Sequence, residues 1–246
     1  MLVKAIVKYD GSHYYGWQVQ NGKRKFKTVE DVVNRAVSII NKRPTEVVAS
    51  GRTDRGVHAL AQVFHFENDH LIPEKRLVNA LNNALPSDIQ ILDVKVVAAD
   101  FHARFSAVSK EYHYYLNSGE YDLFQKDYIT QYNKPLNYQV MLEAAQMLVG
   151  THDFHAFNTT PKSQKMNQVR TLTKVSIVKK DNLYIFKIEG NSFLRHMVRM
   201  IVGMIVYIGA AKYSLKDLEI LLKNKNSKKA PFNIEPNGLY LIKVNY

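Results

Sequence analysis

The sequence predicts an α+β protein built from two ferredoxin-like halves, each with a mixed, mainly antiparallel sheet. Three observations lead there. Segments that alternate apolar and polar residues, the period of a half-buried strand, are interleaved with segments whose apolar residues recur at helical spacing. In the first half they fall in the order strand–helix–strand–strand–helix–strand, and the second half has similar parts. Turn residues between neighbouring strands favour antiparallel pairing. A chain of 246 residues is long enough for one large domain or two ordinary ones. The division is placed near residues 105–109, giving halves 1–106 and 107–246, with the terminal strand in the second.

The elements follow in order. "LVKAIVKYD" alternates and opens the chain as a strand. "TVEDVVNRAVSIINK" starts a helix at Thr28, with Glu30 and Asp31 in the first turn and an apolar stripe from Val29 to Ile40. "EVVAS" is a short strand leading into a loop between Gly51 and Gly56, and "ALAQVFHFE" is a strand rich in aromatic and branched residues. "PEKRLVNALNNALP" is a helix bracketed by Pro73 and Pro86, and "IQILDVKVVAA" a strand. In the second half, "SKEYHYYLN" is a strand with Tyr112 and Tyr114 on one face and His113 and Tyr115 on the other. "NYQVMLEAAQMLVG" is a helix expected to be capped at Gly150. "VRTLTKVSIVKKDNLYIFKIEGN" is a hairpin turning at Asp181–Asn182. Leu194, Met197, Val198, Ile201, Ile205 and Ile208 mark one face of a long helix, and "GLYLIKVNY" closes the chain as a strand. No internal repeat is visible in the residues.

Composition bounds the function. Hydrophobic residues make up 46% and charged residues 23%, the balance of a globular protein. Lysine plus arginine number 34 against 22 acids, a net charge of +12, and this surplus points to a polyanionic partner, nucleic acid ahead of membrane. The absence of cysteine excludes disulfides, thiolate metal sites and thiol nucleophiles, and fits a reducing compartment. Lys4 and Lys8 interrupt any signal-peptide core. The most apolar run, Met200 to Ala211, is twelve residues, against about 20 needed to span a bilayer. A cytoplasmic protein without a membrane segment is expected.

Three features could carry chemistry. In "SGRTDRGVHA", Asp54 stands between Arg52 and Arg55 with glycines on both flanks. Flanking guanidinium groups favour the ionised carboxylate, which suits a nucleophile or an electrostatic stabiliser and not a general acid. A local ion pair in a surface turn reads equally well. A lone carboxylate also argues against ordinary glycoside hydrolysis, which uses two. Tyr112 lies beside Lys110, a pairing suited to base stacking with a phosphate contact, although a buried strand face is the plainer reading of that tyrosine. In "FLRHMVRMIVG", Arg195 and Arg199 are four apart on an apolar helix. Arg199 there either pairs with a carboxylate such as Asp54 or snorkels to solvent.

Other signals are weaker. His152 and His155 in "THDFH" hint at metal ligation, but without cysteine or evident further ligands they read as structural. The basic clusters "GKRKFK", "PKSQK" and "KNKNSKK" are informative only in their joint excess. Neither a Walker loop nor a dinucleotide-binding glycine pattern is present, so no nucleotide cofactor is indicated.

Seven motifs in order, "YDGSHYYGWQVQ", "SGRTDRGVHALAQVFHF", "LNNALPSDI", "DFHARFSAVSKEYHYY", "GTHDFHAF", "FLRHMVRMIVG" and "PNGLYLIKVNY", span the whole chain. In them it resembles the TruA-type tRNA pseudouridine synthases. The resemblance implies the pseudouridine synthase fold, and isomerisation of uridines 38, 39 and 40 of the tRNA anticodon stem-loop. It implies a homodimer with tRNA lying across both subunits, and neither metal nor organic cofactor. By position, Asp54 matches the catalytic aspartate and Arg52 the arginine that helps hold the flipped nucleotide. Tyr112 matches the tyrosine packed on the target base, Arg199 the arginine paired with the catalytic carboxylate, and Leu239 a pocket-lining leucine.

Three positions depart from the family pattern. Arg55 stands where a small residue, most often alanine, is usual, and is expected to point away from Asp54 toward RNA phosphate. Glu30 replaces a glutamine. Asn237 stands where alanine is common, near Leu239. Two further readings remain: a tRNA-binding protein or RNA chaperone without turnover, and a synthase acting on another site or RNA. Retention of Asp54, Tyr112 and Arg199 together speaks against a pure binder, which gains nothing from a carboxylate facing phosphates.

Overall fold

The computed structural model describes residues 1–20, 26–160, 167–223, 229–230 and 234–246. The chain divides into two compact units, Met1–Val108 with Tyr240–Tyr246, and Ser109–Leu239.

The first unit runs β1 (Leu2–Tyr9), α1 (Val29–Asn41), β2 (Val48–Ala49), β3 (His58–Glu67), α2 (Glu74–Ala84) and β4 (Ile89–Val96). The alternation of β1 is realised directly: Val3, Ala5, Val7 and Tyr9 are buried, one at every second position. Antiparallel pairing of β1 with both β3 and β4 gives the order β4-β1-β3, with β2 antiparallel along β3. Helix α1 starts behind Thr28, whose buried hydroxyl accepts the Asp31 N–H at 3.4 Å. It buries Val29, Val33, Ala36 and Val37, and α2 buries Leu77 and Leu81 against β4. Trp17, Tyr14, Phe64 and Phe66 fill the core.

The second unit contains β5 (Ser109–Asn117), β6 (Thr130–Gln131), α3 (Tyr138–Met147), β7 (Gly150–Asp153), β8 (Val169–Lys180), β9 (Leu183–Gly190), α4 (Met197–Gly209) and α5 (Leu215–Lys223). Its sheet has the order β5-β9-β8-β7, all antiparallel, with β6 parallel along β5. The path β5-α3-β8-β9-α4, with sheet order β5-β9-β8, repeats that of β1-α1-β2-β3-α2, with sheet order β1-β3-β2. The two units therefore share a chain path, as the similar parts of the two halves lead one to expect, without a visible repeat in their residues. Asp181 makes the β8–β9 turn in the left-handed region at φ 51°. Eleven of the thirteen residues of α4 are buried, which is why it reads as apolar nearly all round. A Cβ on Gly209 would lie 2.6 Å from Met141, so the glycine lets α3 approach the end of α4.

Three features differ from the sequence expectation. The last strand, β10 (Leu239–Asn245), pairs in parallel with β3, Tyr240 opposite His58 and Leu241 opposite Ala59. Residues Tyr240–Tyr246 therefore belong with the first unit, not with the C-terminal half. Helix α3 ends at Met147 with Leu148 as its cap, and Gly150 instead opens β7 at φ +112°. Helix α5 was not expected. It begins behind a capping box in which the Ser214 hydroxyl accepts the Asp217 N–H at 3.2 Å and the Asp217 carboxylate accepts the Ser214 N–H at 2.8 Å. Among the described residues no helix is long and apolar enough to cross a membrane.

The segment before β5 hangs on two imidazoles. Ala103 N–H donates to His65 Nδ1 at 3.0 Å, and the Arg104 and Phe105 N–H groups donate to His102 Nδ1 at 3.1 and 3.3 Å. The rings lie 4.9 Å apart. Both nitrogens must be unprotonated to accept. Burial, and then the neighbouring His102, hold His65 below the ordinary histidine value. As pH falls, the unfolded chain takes up this proton before the folded one. The stabilisation is therefore present above the ordinary value of about 6.5 and is lost below it. Urea midpoints measured from pH 8 to pH 5 should fall, and His65→Ala should flatten the slope; an unchanged slope in the variant would contradict this.

Candidate active site

Asp54 stands in the loop between β2 and β3, and glycines set the shape of that loop. Gly56 turns the chain at φ +77°, and the Val57 N–H closes the turn on the Asp54 carbonyl at 3.1 Å. Thr53 is buried beneath it, its hydroxyl 2.8 Å from the Tyr9 hydroxyl. The segment after β1 runs alongside. Trp17 N–H donates to the Thr53 carbonyl at 3.1 Å, and Gly56 N–H donates to the Tyr14 carbonyl at 3.3 Å. Gly16, at φ +86°, faces the loop so closely that a Cβ would sit 2.5 Å from the Thr53 carbonyl oxygen. Below, buried His58 accepts the Gly11 N–H on Nδ1 at 3.1 Å and stacks on Tyr240 at 4.6 Å.

The loop's charged side chains have different surroundings. Asp54 is half-buried, while Arg52 and Arg55 are exposed. The Arg55 guanidinium lies over the Tyr15 ring at 4.3 Å, and Tyr15 in turn stacks on Phe26 at 4.3 Å. Burial pushes the half-buried Glu30 carboxyl up, and the Arg52 guanidinium is among the groups that favour its charged form.

In the second unit, Tyr112 shares the buried face of β5 with Tyr114 and Leu116 and meets the edge of Phe193, centroids 5.0 Å apart. Lys110, half-exposed, lies opposite Gly190 on β9. Arg199 projects from α4 and donates through Nε and Nη2 to the Ile234 carbonyl at 3.1 and 2.6 Å. The same short segment is held at three further residues, Glu235, Asn237 and Gly238. The Tyr114 hydroxyl, pushed up by burial, donates to the Glu235 carbonyl at 2.7 Å, and Tyr115 N–H donates to the Gly238 carbonyl at 2.8 Å. Asn237 accepts the Thr130 hydroxyl at 3.0 Å and donates to the Lys126 carbonyl. Residues 234–239 are thereby fixed, and with them buried Leu239.

Of the residues picked out in the sequence, Arg52, Asp54 and Arg55 share one loop of the first unit. Tyr112, Lys110, Arg199 and Leu239 lie in the second, where Tyr114 ties the strand of Tyr112 to the segment of Leu239. Sequence reasoning missed Tyr114, Thr130 and Asn237 as supports, although the Asn237 departure was a signal of a kind. The basic positions 22–25, 161–165 and 224–228 lie outside the described residues. His152 is held by the Val149 carbonyl at 3.1 Å. Among the described residues no group of three or more His, Cys, Asp or Glu side chains is arranged to hold a metal ion.

Comparison with known proteins assigns the class. The family model described as tRNA pseudouridine synthase matches residues 5–106 and 144–246. A tRNA pseudouridine synthase A of Geobacillus sp. (strain WCH70) is 40% identical over 246 residues, covering 99% of this chain and 98% of that protein. Those of Oceanobacillus iheyensis, 39% identical over 99% of this chain and 96% of its own, and Thermoanaerobacter sp. (strain X514), 38% over 99% of each, agree. The chain belongs to the tRNA pseudouridine synthase family, of the A type, and is an isomerase.

One consequence concerns the Leu239 segment. Tyr114→Phe removes a buried hydroxyl from between Thr130 and the Glu235 carbonyl and should cost about 1–3 kcal/mol. Chemical denaturation measures this, and a change within error of zero would count against the support assigned to Tyr114.

Proposed function

We propose that the chain isomerises uridines 38, 39 and 40 of the tRNA anticodon stem-loop, with Asp54 as the catalytic carboxylate. The observation that carries the reading is the Asp54 loop, a half-buried carboxylate between two exposed guanidinium groups on a glycine-shaped turn.

The chemistry is redox-neutral and internal to one nucleotide. The N1–C1′ bond breaks, the uracil turns, C5 bonds to C1′, the C5 hydrogen leaves as a proton and N1 takes one up. No oxidant, metal or group donor is required. A base within a stem must first leave the stack, at a cost of a few kcal/mol. Arg52 holds the flipped nucleotide, Tyr112 packs on its base, and Leu239 closes the pocket. Lys110, beside Tyr112, contacts phosphate. Asp54 acts on the sugar while ionised, as nucleophile at C1′ or as base toward a sugar proton. Arg199 pairs with it and keeps it charged and aimed. Arg199 already spends two donors on the Ile234 carbonyl, which supports a guanidinium fixed in orientation.

Arg55 takes a separate part. With its face over Tyr15 it is exposed and suited to a phosphate oxygen. The surplus of +12 supports salt-sensitive tRNA binding. We place the enzyme in the cytoplasm as a homodimer. The exposed Tyr121, Leu123, Phe124 and Tyr128 of the second unit supply an apolar surface for such an association.

The test is to map pseudouridine in unmodified tRNA after incubation with the enzyme. Modification at 38, 39 and 40 is expected; modification confined to other positions would overturn the assignment. For Arg55→Ala, weaker tRNA binding is expected, with the slope of log affinity against log salt smaller by about one. Unchanged affinity and slope would remove the phosphate role.

A further inference from the structure

Glu30 lies in the first turn of α1, where a carboxylate ordinarily serves the helix's own N–H groups and dipole. Here it reaches outward instead, and its Oε2 accepts the Val19 N–H at 2.7 Å. The start of the helix grips the same segment twice more, Val29 N–H donating to the Gly16 carbonyl at 3.2 Å and Glu30 N–H to the Trp17 carbonyl at 2.9 Å. The segment's other side faces the Asp54 loop. There Trp17 donates to Thr53, Gly56 donates to Tyr14, and Gly16 meets the Thr53 carbonyl with no room for a Cβ. Residues 14–19 thus form a strap gripped between the start of α1 and the Asp54 loop, at Thr53 and Gly56.

We propose that Glu30 is a positioning residue for the isomerisation. By holding Val19 it tensions the strap, which fixes the backbone at Thr53 and so aims the Asp54 carboxylate. This rests on the reading of Asp54 as the catalytic carboxylate. Two observations accompany the geometry. Glu30 is half-buried, and burial pushes its carboxyl up, while the Val19 N–H, then the Trp17 side chain and the Arg52 guanidinium, favour the charged form. The strap also needs only an oxygen acceptor at this position. An amide supplies one as well as a carboxylate does, which accounts for a glutamate standing where glutamine is usual.

The experiment compares the wild type with Glu30→Ala, Glu30→Gln and Asp54→Asn in steady-state isomerisation of unmodified tRNA. Rates are taken per folded protein, well below each variant's melting temperature. Glu30→Ala is expected to lower kcat about 10-fold or more with KM for tRNA within about twofold, as a misaimed group does. Glu30→Gln should restore kcat to within about threefold of wild type, because it keeps the acceptor. Wild-type kcat in Glu30→Ala, or a Glu30→Gln enzyme as poor as Glu30→Ala, would overturn the proposal. So would a loss carried by KM. An inactive Asp54→Asn beside a fully active Glu30→Ala removes the Glu30 role alone, whereas an active Asp54→Asn removes both readings.

Discussion

The approach of Gly16 to the Thr53 carbonyl is the constraint on which the first unit's site depends. Two segments that are far apart in sequence must come within van der Waals contact, and only a residue without Cβ, free to sit at φ +86°, permits it. The sheet delivers them. Because β1 and β3 run antiparallel with Tyr9 opposite Ala59, the chain leaving β1 and the chain entering β3 emerge at the same end. The run of aromatic residues after Tyr9 then has a physical task. Tyr14 and Trp17 bury their rings in the core while their backbone groups bind the Asp54 loop.

Backbone carbonyls do comparable work in the second unit. Arg199 and Tyr114 both spend side-chain donors on the 234–239 segment, and Asn237 ties that segment to Thr130 and Lys126. A guanidinium emerging from a helix as apolar as α4 needs acceptors. The Ile234 carbonyl supplies one, and two donors on a single oxygen fix the guanidinium's orientation.

Much of the fold was legible in the residues, for identifiable reasons. Period-two burial in β1, the Thr28 cap, and the Asp181 turn are local signals, and local signals survive in one dimension. What was lost is non-local or faint. The membership of Tyr240–Tyr246 depends on pairing with β3, which lies far back in the first half of the chain. β6 and β7 are two and four residues long, too short to show a period. Helix α5 did carry its Ser214–Asp217 capping box, a signal present but overlooked amid charged residues. The Asp54 loop could be found from its glycines and charges, and the seven motifs led to the family that the comparisons show. The strap that braces the loop, and the stacking of Arg55 on Tyr15, are contacts between distant residues with no local pattern to announce them.

The most direct measurement of the central claim is tritium release in a single turnover from tRNA labelled at uracil C5. Wild type and Asp54→Asn are compared at matched tRNA occupancy. Formation of the C5–C1′ bond must expel that hydrogen, so release reports the chemistry and not binding. If Asp54 carries the reaction, the wild type releases tritium and the variant, binding tRNA as tightly, releases none. Release by Asp54→Asn at the wild-type rate would contradict it.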